Sequence, residues 1–226
     1  MPKHDMTRHD IAFLHTAEVH ISTFQSLVES LNHTISVRHD VQPNLLKEAI
    51  EHGLTEKLKN DVNRTMQLAA NTGAQVVVCT CSTIGGIAEL TKQTGSCISM
   101  RIDRAMADLS VQTFNNILVV AAVESTLQPT QALLNESLTS ANTQPKITLK
   151  QIPDTWEYFL AGDKKEYLNR IFEFIQNEKD GFDCVVLAQA SMADAALRFK
   201  DSDICVLASP ELGVKKAIEY LNKKSV

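Results

Sequence analysis

The sequence predicts an α/β fold of two pseudo-symmetric lobes, each a parallel sheet flanked by helices, with an active-site cleft between them. Three observations predict it. Apolar strand-like runs alternate with amphipathic helical stretches, the pattern of parallel sheets covered on both faces. The order of elements in the first half returns in the second. Three blocks also recur at nearly one spacing. DIAFLHTAEVHISTFQSLV resembles NILVVAAVESTLQPTQALL, with Thr23 on Thr130 and Leu27 on Leu134, an offset of 107. QVVVCTCSTIGGIAEL resembles CVVLAQASMADAAL, with Val78 on Leu187 and Cys81 on Ala190, an offset of 109. CISM matches CVLAS at 108–109.

Each element has its own signal. IAFLH (11–15) reads as a buried strand. Segment 20–31 carries Ile21, Phe24, Leu27, Val28 and Leu31 at helical spacing. TISVR (34–38) reads as a second strand. Residues 45–53 and 54–73 are helical, the second closing on Gly73. QVVVCTC (75–81) is a strand, STIGGIAELTKQTG a helix, SCISM (96–100) a strand and IDRAMADLS the start of a helix. The second half repeats the order. Strands are expected at 116–123, 146–152, 182–190 and 203–209. Helices are expected over TLQPTQALLNESL, DTWEYFL, KKEYLNRIFEFIQNEKDG, SMADAALRF and PELGVKKAIEYLNKK, the last with Pro210 at its start. The lobes are then residues 1–100 with 209–226, and 101–208, built on a unit of roughly 108 residues, a usual domain size.

Composition narrows the function classes. The 226 residues carry 22 basic and 27 acidic side chains, a net charge of −5. Without a Lys/Arg stripe, a nucleic-acid backbone or an anionic membrane surface is a poor partner. There is no apolar run of about 18 residues and no apolar signal region at the start, so a cytoplasmic protein is expected. The five cysteines are then read as free thiols. Cys79 and Cys81 form a lone C-x-C with no second pair at ligand spacing, so zinc is not expected. All seven histidines lie at or before His52, and most read as surface residues.

In open parallel sheets a ligand sits at the carboxyl ends of the strands. Those ends carry HTAE (15–18), TCST (80–83), VEST (123–126) and QASM (189–192). CTCSTIGG is the most informative of these segments. It follows a strand and opens a helix, where partial positive charge favours thiolate over thiol. Cys81 is therefore the candidate base or nucleophile, while Cys79, inside the strand, reads as buried and inert. Ser82 and Thr83, with the free N–H groups around them, can hold a small anion. Ser125 and Thr126 fit an anion cradle or a simple helix cap. Thr16 sits at the matching point of the first lobe. Arg101 fits a carboxylate partner or, more simply, a solvated surface residue.

With VVV before it, and with VVLAQASM and VLASPELG in the second half, CTCSTIG resembles the aspartate/glutamate/hydantoin racemase superfamily. IAFLHTAEVHISTF looks like the N-terminal block of one branch of it. The resemblance covers nearly the whole chain and rests on the order of short blocks. It implies cofactor-independent chemistry on the carbon next to a carboxylate, a small carboxylate or amino-acid ligand, and a homo-oligomer. It places Cys81, Ser82 and Thr83 on the family's Cys-Asn-Thr-like motif, and Gln189, Ala190 and Ser191 on its Gly-Cys-Thr-like motif. Here the chain departs from the two-cysteine pattern, because Ala190 stands where the second thiol belongs. Ser191 is too weak an acid to replace it, and Cys184 lies about 20 Å upstream along the strand. His15 reads either as a surrogate proton donor and acceptor or as a satisfied structural histidine.

Three functions follow. The first is a racemase-superfamily isomerase with Cys81 as thiolate base, or a one-cysteine decarboxylase, isomerase or lyase, since one thiol suits one-sided chemistry. The second is a non-catalytic protein that binds small carboxylates. A weaker third is redox chemistry at Cys79 and Cys81, which lacks C-x-x-C geometry.

Overall fold

Eight strands among the described residues form two sheets of four. The computed structural model describes residues 9–93 and 95–224. The first unit comprises the described residues up to Ile102 and from Gly213 onward; the second is Asp103–Leu212.

In the first unit the strands are β1 (Ile11–His15), β2 (Val37–Val41), β3 (Val76–Cys79) and β4 (Ile98–Arg101), in the order β2-β1-β3-β4. All pair in parallel. The helices are α1 (Val19–Leu31), α2 (Pro43–His52), α3 (Glu56–Ala70) and α4 (Ser82–Glu89). Side chains alternate across a strand, so β1 splits its apolar content between two faces. Ala12 and Leu14 join Val77 and Cys79 against Leu45, Leu58, Val62, Met66, Ile84 and Ala88 of α2, α3 and α4. Phe13 and His15 face the other way, onto Phe24 of α1.

The second unit repeats the plan with β5 (Asn116–Ala121), β6 (Lys146–Gln151), β7 (Cys184–Leu187) and β8 (Cys205–Ala208), in the order β6-β5-β7-β8, again all parallel. Its helices are α5 (Arg104–Thr113), α6 (Leu127–Ala141), α7 (Trp156–Leu160), α8 (Lys164–Glu178) and α9 (Ala193–Ala196). Ile117, Val119 and Val186 pack on α5 and α6; Leu118, Val120 and Val185 pack on α8. The final helix, α10 (Ser209–Lys224), begins directly after β8. The ladders reproduce the repeat. Ile11 pairs with Val76, and Leu118, 107 residues after Ile11, pairs with Val185, 109 after Val76.

Three elements differ from the sequence reading. The second strand runs Val37–Val41 and not 34–38. Residues 33 and 34 form a turn, the Asp10 carboxylate accepts from the backbone N–H and the hydroxyl of Ser36, and the regular ladder starts at Val37. The helix after Cys81 stops at Glu89, where the Thr91 hydroxyl reaches the Ile87 carbonyl and Asn63. Segment 190–199 is a run of 3₁₀ turns around the four-residue α9, beginning with a tight bond from the Met192 N–H to the Gln189 carbonyl. No helix among the described residues is long and apolar enough to cross a membrane.

Candidate functional site

The corner between β3 and α4 is built from backbone geometry. β3 is fully buried, and the Thr80 N–H continues the ladder to the Leu14 carbonyl. The extended backbone ends at Cys81, the N-cap residue of α4 with φ −100° and ψ 114°. The first N–H groups of a helix have no partner within it, so the turn starting at Ser82 offers donors and partial positive charge. The Cys81 side chain makes no capping bond, and the residue is partly exposed. Ser82 is buried, and its Oγ has no hydrogen-bond partner. An unpaired buried hydroxyl is costly, and here it sits in the first turn beside the thiol. Thr83 is buried in the same turn.

Arg101 is not a solvated surface residue. It is 3% exposed at the end of β4, and its guanidinium donates to the Ser82 carbonyl at 3.3 Å. It lies against Gly85, where an added Cβ would meet its Nε at 3.1 Å. That contact explains a Gly-Gly pair in a helix, where glycine otherwise costs stability. The pair makes room for a buried cation behind the Cys81 corner.

His15 does not carry a neutral-range pKa. It is fully buried, and its pKa is pushed down to about 3 by burial first and by His39 and His20 next. Both ring nitrogens are engaged, Nδ1 with Thr80 Oγ1 and Nε2 with His39 Nδ1, each at 2.8 Å. The ring stacks on His39 at a centroid distance of 5.1 Å and tilts against Phe24. Burial also lowers His20, to about 4, and His39. Among the described histidines, then, His15, His20 and His39 form an aromatic cluster, while His33 and His52 are exposed. His4 lies outside the described residues. Thr16 is buried just past β1.

The second unit's corner after β7 is chemically different. Ala190 presents a methyl group where Cys81 presents a thiol, and a 3₁₀ turn replaces the eight-residue helix. Gln189 spends its Oε1 inside the unit, accepting from the N–H groups of Ala122 at 2.6 Å and Val123 at 3.2 Å. The Ser191 hydroxyl is bonded to that of Tyr167 at 2.8 Å. Tyr167 is buried, which pushes its phenol well above its usual range. Ser125 Oγ has no partner, and Thr126, the N-cap of α6, makes no side-chain capping bond, so capping does not explain the pair. Cys184 and Cys205 face one another in register, and burial raises both thiols. Among the described residues no cluster of three His, Cys, Asp or Glu side chains is arranged to hold a metal.

The structure thus brings His15, Thr16, Cys81, Ser82 and Thr83 to neighbouring strand ends of the first unit. It brings Ser125, Thr126, Gln189 and Ser191 to the corresponding ends of the second. Sequence reasoning missed Thr80, His39, Gln25 and Tyr167. A later start for β2 would have revealed His39, because Val37, His39 and Val41 then alternate on one face.

No family model matches the sequence, and neither does any curated protein. Solved structures match over nearly the whole chain. Aspartate racemase from Picrophilus torridus is 17% identical, with a TM-score of 0.70 over 95% of this chain and 94% of that one. Glutamate racemase isoform RacE1 from Bacillus anthracis is 15% identical, with a TM-score of 0.73 over 96% and 82%. An arylmalonate decarboxylase is 12% identical, with a TM-score of 0.57 over 93% and 92%. The chain shares the two-sheet α/β fold of these solved racemases.

Proposed function

We propose that the protein is a cofactor-independent enzyme acting at the carbon α to a carboxylate of a small amino acid or organic acid, with Cys81 as the thiolate base. The observation that carries this is the Cys81 corner itself, a partly exposed thiol at the N-cap of α4 beside the unpartnered Ser82 hydroxyl. In this reading the first-turn N–H groups and the hydroxyls of Ser82 and Thr83 hold the substrate carboxylate, and negative charge building in the enolate is stabilised by the same donors. Cys81 removes the α-proton, or returns one to a carbanion left by loss of carbon dioxide. Gln189 and Ser191 serve the fold.

With alanine at 190 and His15 neutral and doubly bonded, the chain has one thiol for proton transfer. One-sided chemistry follows, as decarboxylation, isomerisation or elimination, in preference to symmetrical racemisation. The test is α-hydrogen exchange in deuterated water across aspartate, glutamate and arylmalonates, with product analysis for decarboxylation. Wild type is expected to exchange or decarboxylate at least one class, and Cys81→Ala to lose it. Exchange that survives Cys81→Ala would refute the thiolate base. Saturable binding with no turnover in any class would leave a carboxylate-binding protein.

A further inference from the structure

The polar chain behind Cys81 has a single direction. Glu29, on the exposed face of α1, accepts from the Gln25 amide Nε2 at 2.6 Å. That fixes the Gln25 carboxamide, so its Oε1 faces His39 Nε2 at 3.0 Å as an acceptor. His39 Nε2 must therefore carry the hydrogen, and in a neutral ring Nδ1 is left as the acceptor. Nδ1 faces His15 Nε2 at 2.8 Å, so His15 also carries its hydrogen on Nε2 and accepts at Nδ1. The donor there is the Thr80 hydroxyl, at 2.8 Å, with the Leu14 carbonyl its more distant alternative at 3.2 Å. Each bond dictates the next. The chain joins α1, β2, β1 and the end of β3, and burial keeps both rings neutral, as this arrangement requires.

We propose that Thr80, His15 and His39 are positioning residues for the Cys81 thiol: a hydrogen-bond chain of one polarity, set by Glu29, clamps the strand end to which Cys81 is attached. This rests on the reading of Cys81 as the reactive thiol. Thr80 is the residue before Cys81, and its side chain and N–H are both tied to β1. The neighbouring Cys79 carbonyl is tied to the Ile102 N–H. The direction of the chain at Cys81 is thus fixed from both sides of β3.

The experiment follows Cys81 alkylation by iodoacetamide, residue by residue in mass spectrometry, with Cys97 as internal reference. Imidazole ¹⁵N spectra are recorded at about neutral pH. In wild type, both His15 and His39 are expected as the Nε2–H tautomer. His39→Leu removes the acceptor for His15 and should change the Cys81 alkylation rate by about tenfold, the scale of small misplacements at reacting groups. His39→Asn keeps an acceptor near the Nδ1 position and should restore the rate to within about twofold. Should His39→Leu not fold, Gln25→Met breaks the same chain one link further out and should shift His39 toward mixed tautomers and alter the Cys81 rate in the same direction. Hydrogen on Nδ1 of either wild-type ring overturns the proposal. So does a folded His39→Leu with the wild-type rate and pH midpoint at Cys81, and in that case the reactive-thiol reading stands. If wild-type Cys81 reacts no faster than Cys97, the thiol reading fails and the positioning role fails with it.

Discussion

Lowering the pH from about 7 to about 5 should cost this protein several kcal/mol, through His15 and the histidines packed beside it. The folded pKa of His15 is about 3, against an ordinary 6.5. Between those values the unfolded chain binds a proton that the folded chain refuses. Stability is therefore fully present above 6.5 and drains away as the pH falls toward 3. Integrated from about pH 7 to about pH 5, one such histidine costs about 2 kcal/mol. His20, lowered to about 4, costs a similar amount, and His39, lowered as well, adds in the same direction. The Asp40 carboxylate near His39 opposes its shift. The window lies above the range in which most carboxylates titrate, so acid unfolding by other routes contributes little. Urea unfolding followed by far-ultraviolet circular dichroism at both pH values measures the loss. His15→Asn, which keeps an acceptor toward Thr80 but cannot titrate, should shrink the loss by about 2 kcal/mol. An imidazole titration placing wild-type His15 near 6 would refute the reasoning, as would an equal loss in the variant.

Other perturbations have equally definite outcomes. Gln189→Leu strands the N–H groups of Ala122 and Val123 and should cost about 2 kcal/mol in urea unfolding. Tyr167→Phe removes the bond to Ser191 and should cost about 1 kcal/mol, without changing α-hydrogen exchange. Gly213→Ala normally gains about 1 kcal/mol in a helix. Here the new Cβ would clash with the Ile102 carbonyl oxygen, so the variant should instead lose about 3 kcal/mol, seen as a lower thermal midpoint. Gly85→Ala presses on the Arg101 guanidinium at 3.1 Å and should slow Cys81 alkylation; an unchanged rate would remove Arg101 from the support of that corner.

The fold was legible because its signals are local or periodic. Alternation of apolar runs places strands such as β3 and β7, and the offsets of 107 and 109 between the halves reappear in the ladder register. Cys81 at the strand–helix corner was legible for the same reason, since a β-run followed by Ser, Thr and a helix is a local pattern. The second strand was misplaced by three residues, where Ser36 is held by Asp10, 26 positions earlier, in a bond that no periodicity reports. The error hid His39, and with it the partner that turns His15 from a proton donor into a link in a chain.

The sequence by itself determined the order of elements, the duplication, the lone thiol at Cys81 and its absence at Ala190. Those follow from chain-neighbour chemistry and strand or helix period. Only the tertiary structure decided what the polar groups around the corners do. Arg101 is buried against the glycine pair of α4, Gln189 is bonded to the end of β5, and Ser191 is bonded to Tyr167. His15 sits between Thr80, 65 positions later in the chain, and His39, 24 positions later. A buried polar side chain takes its role from its partner, and strand order and register choose that partner from far along the chain.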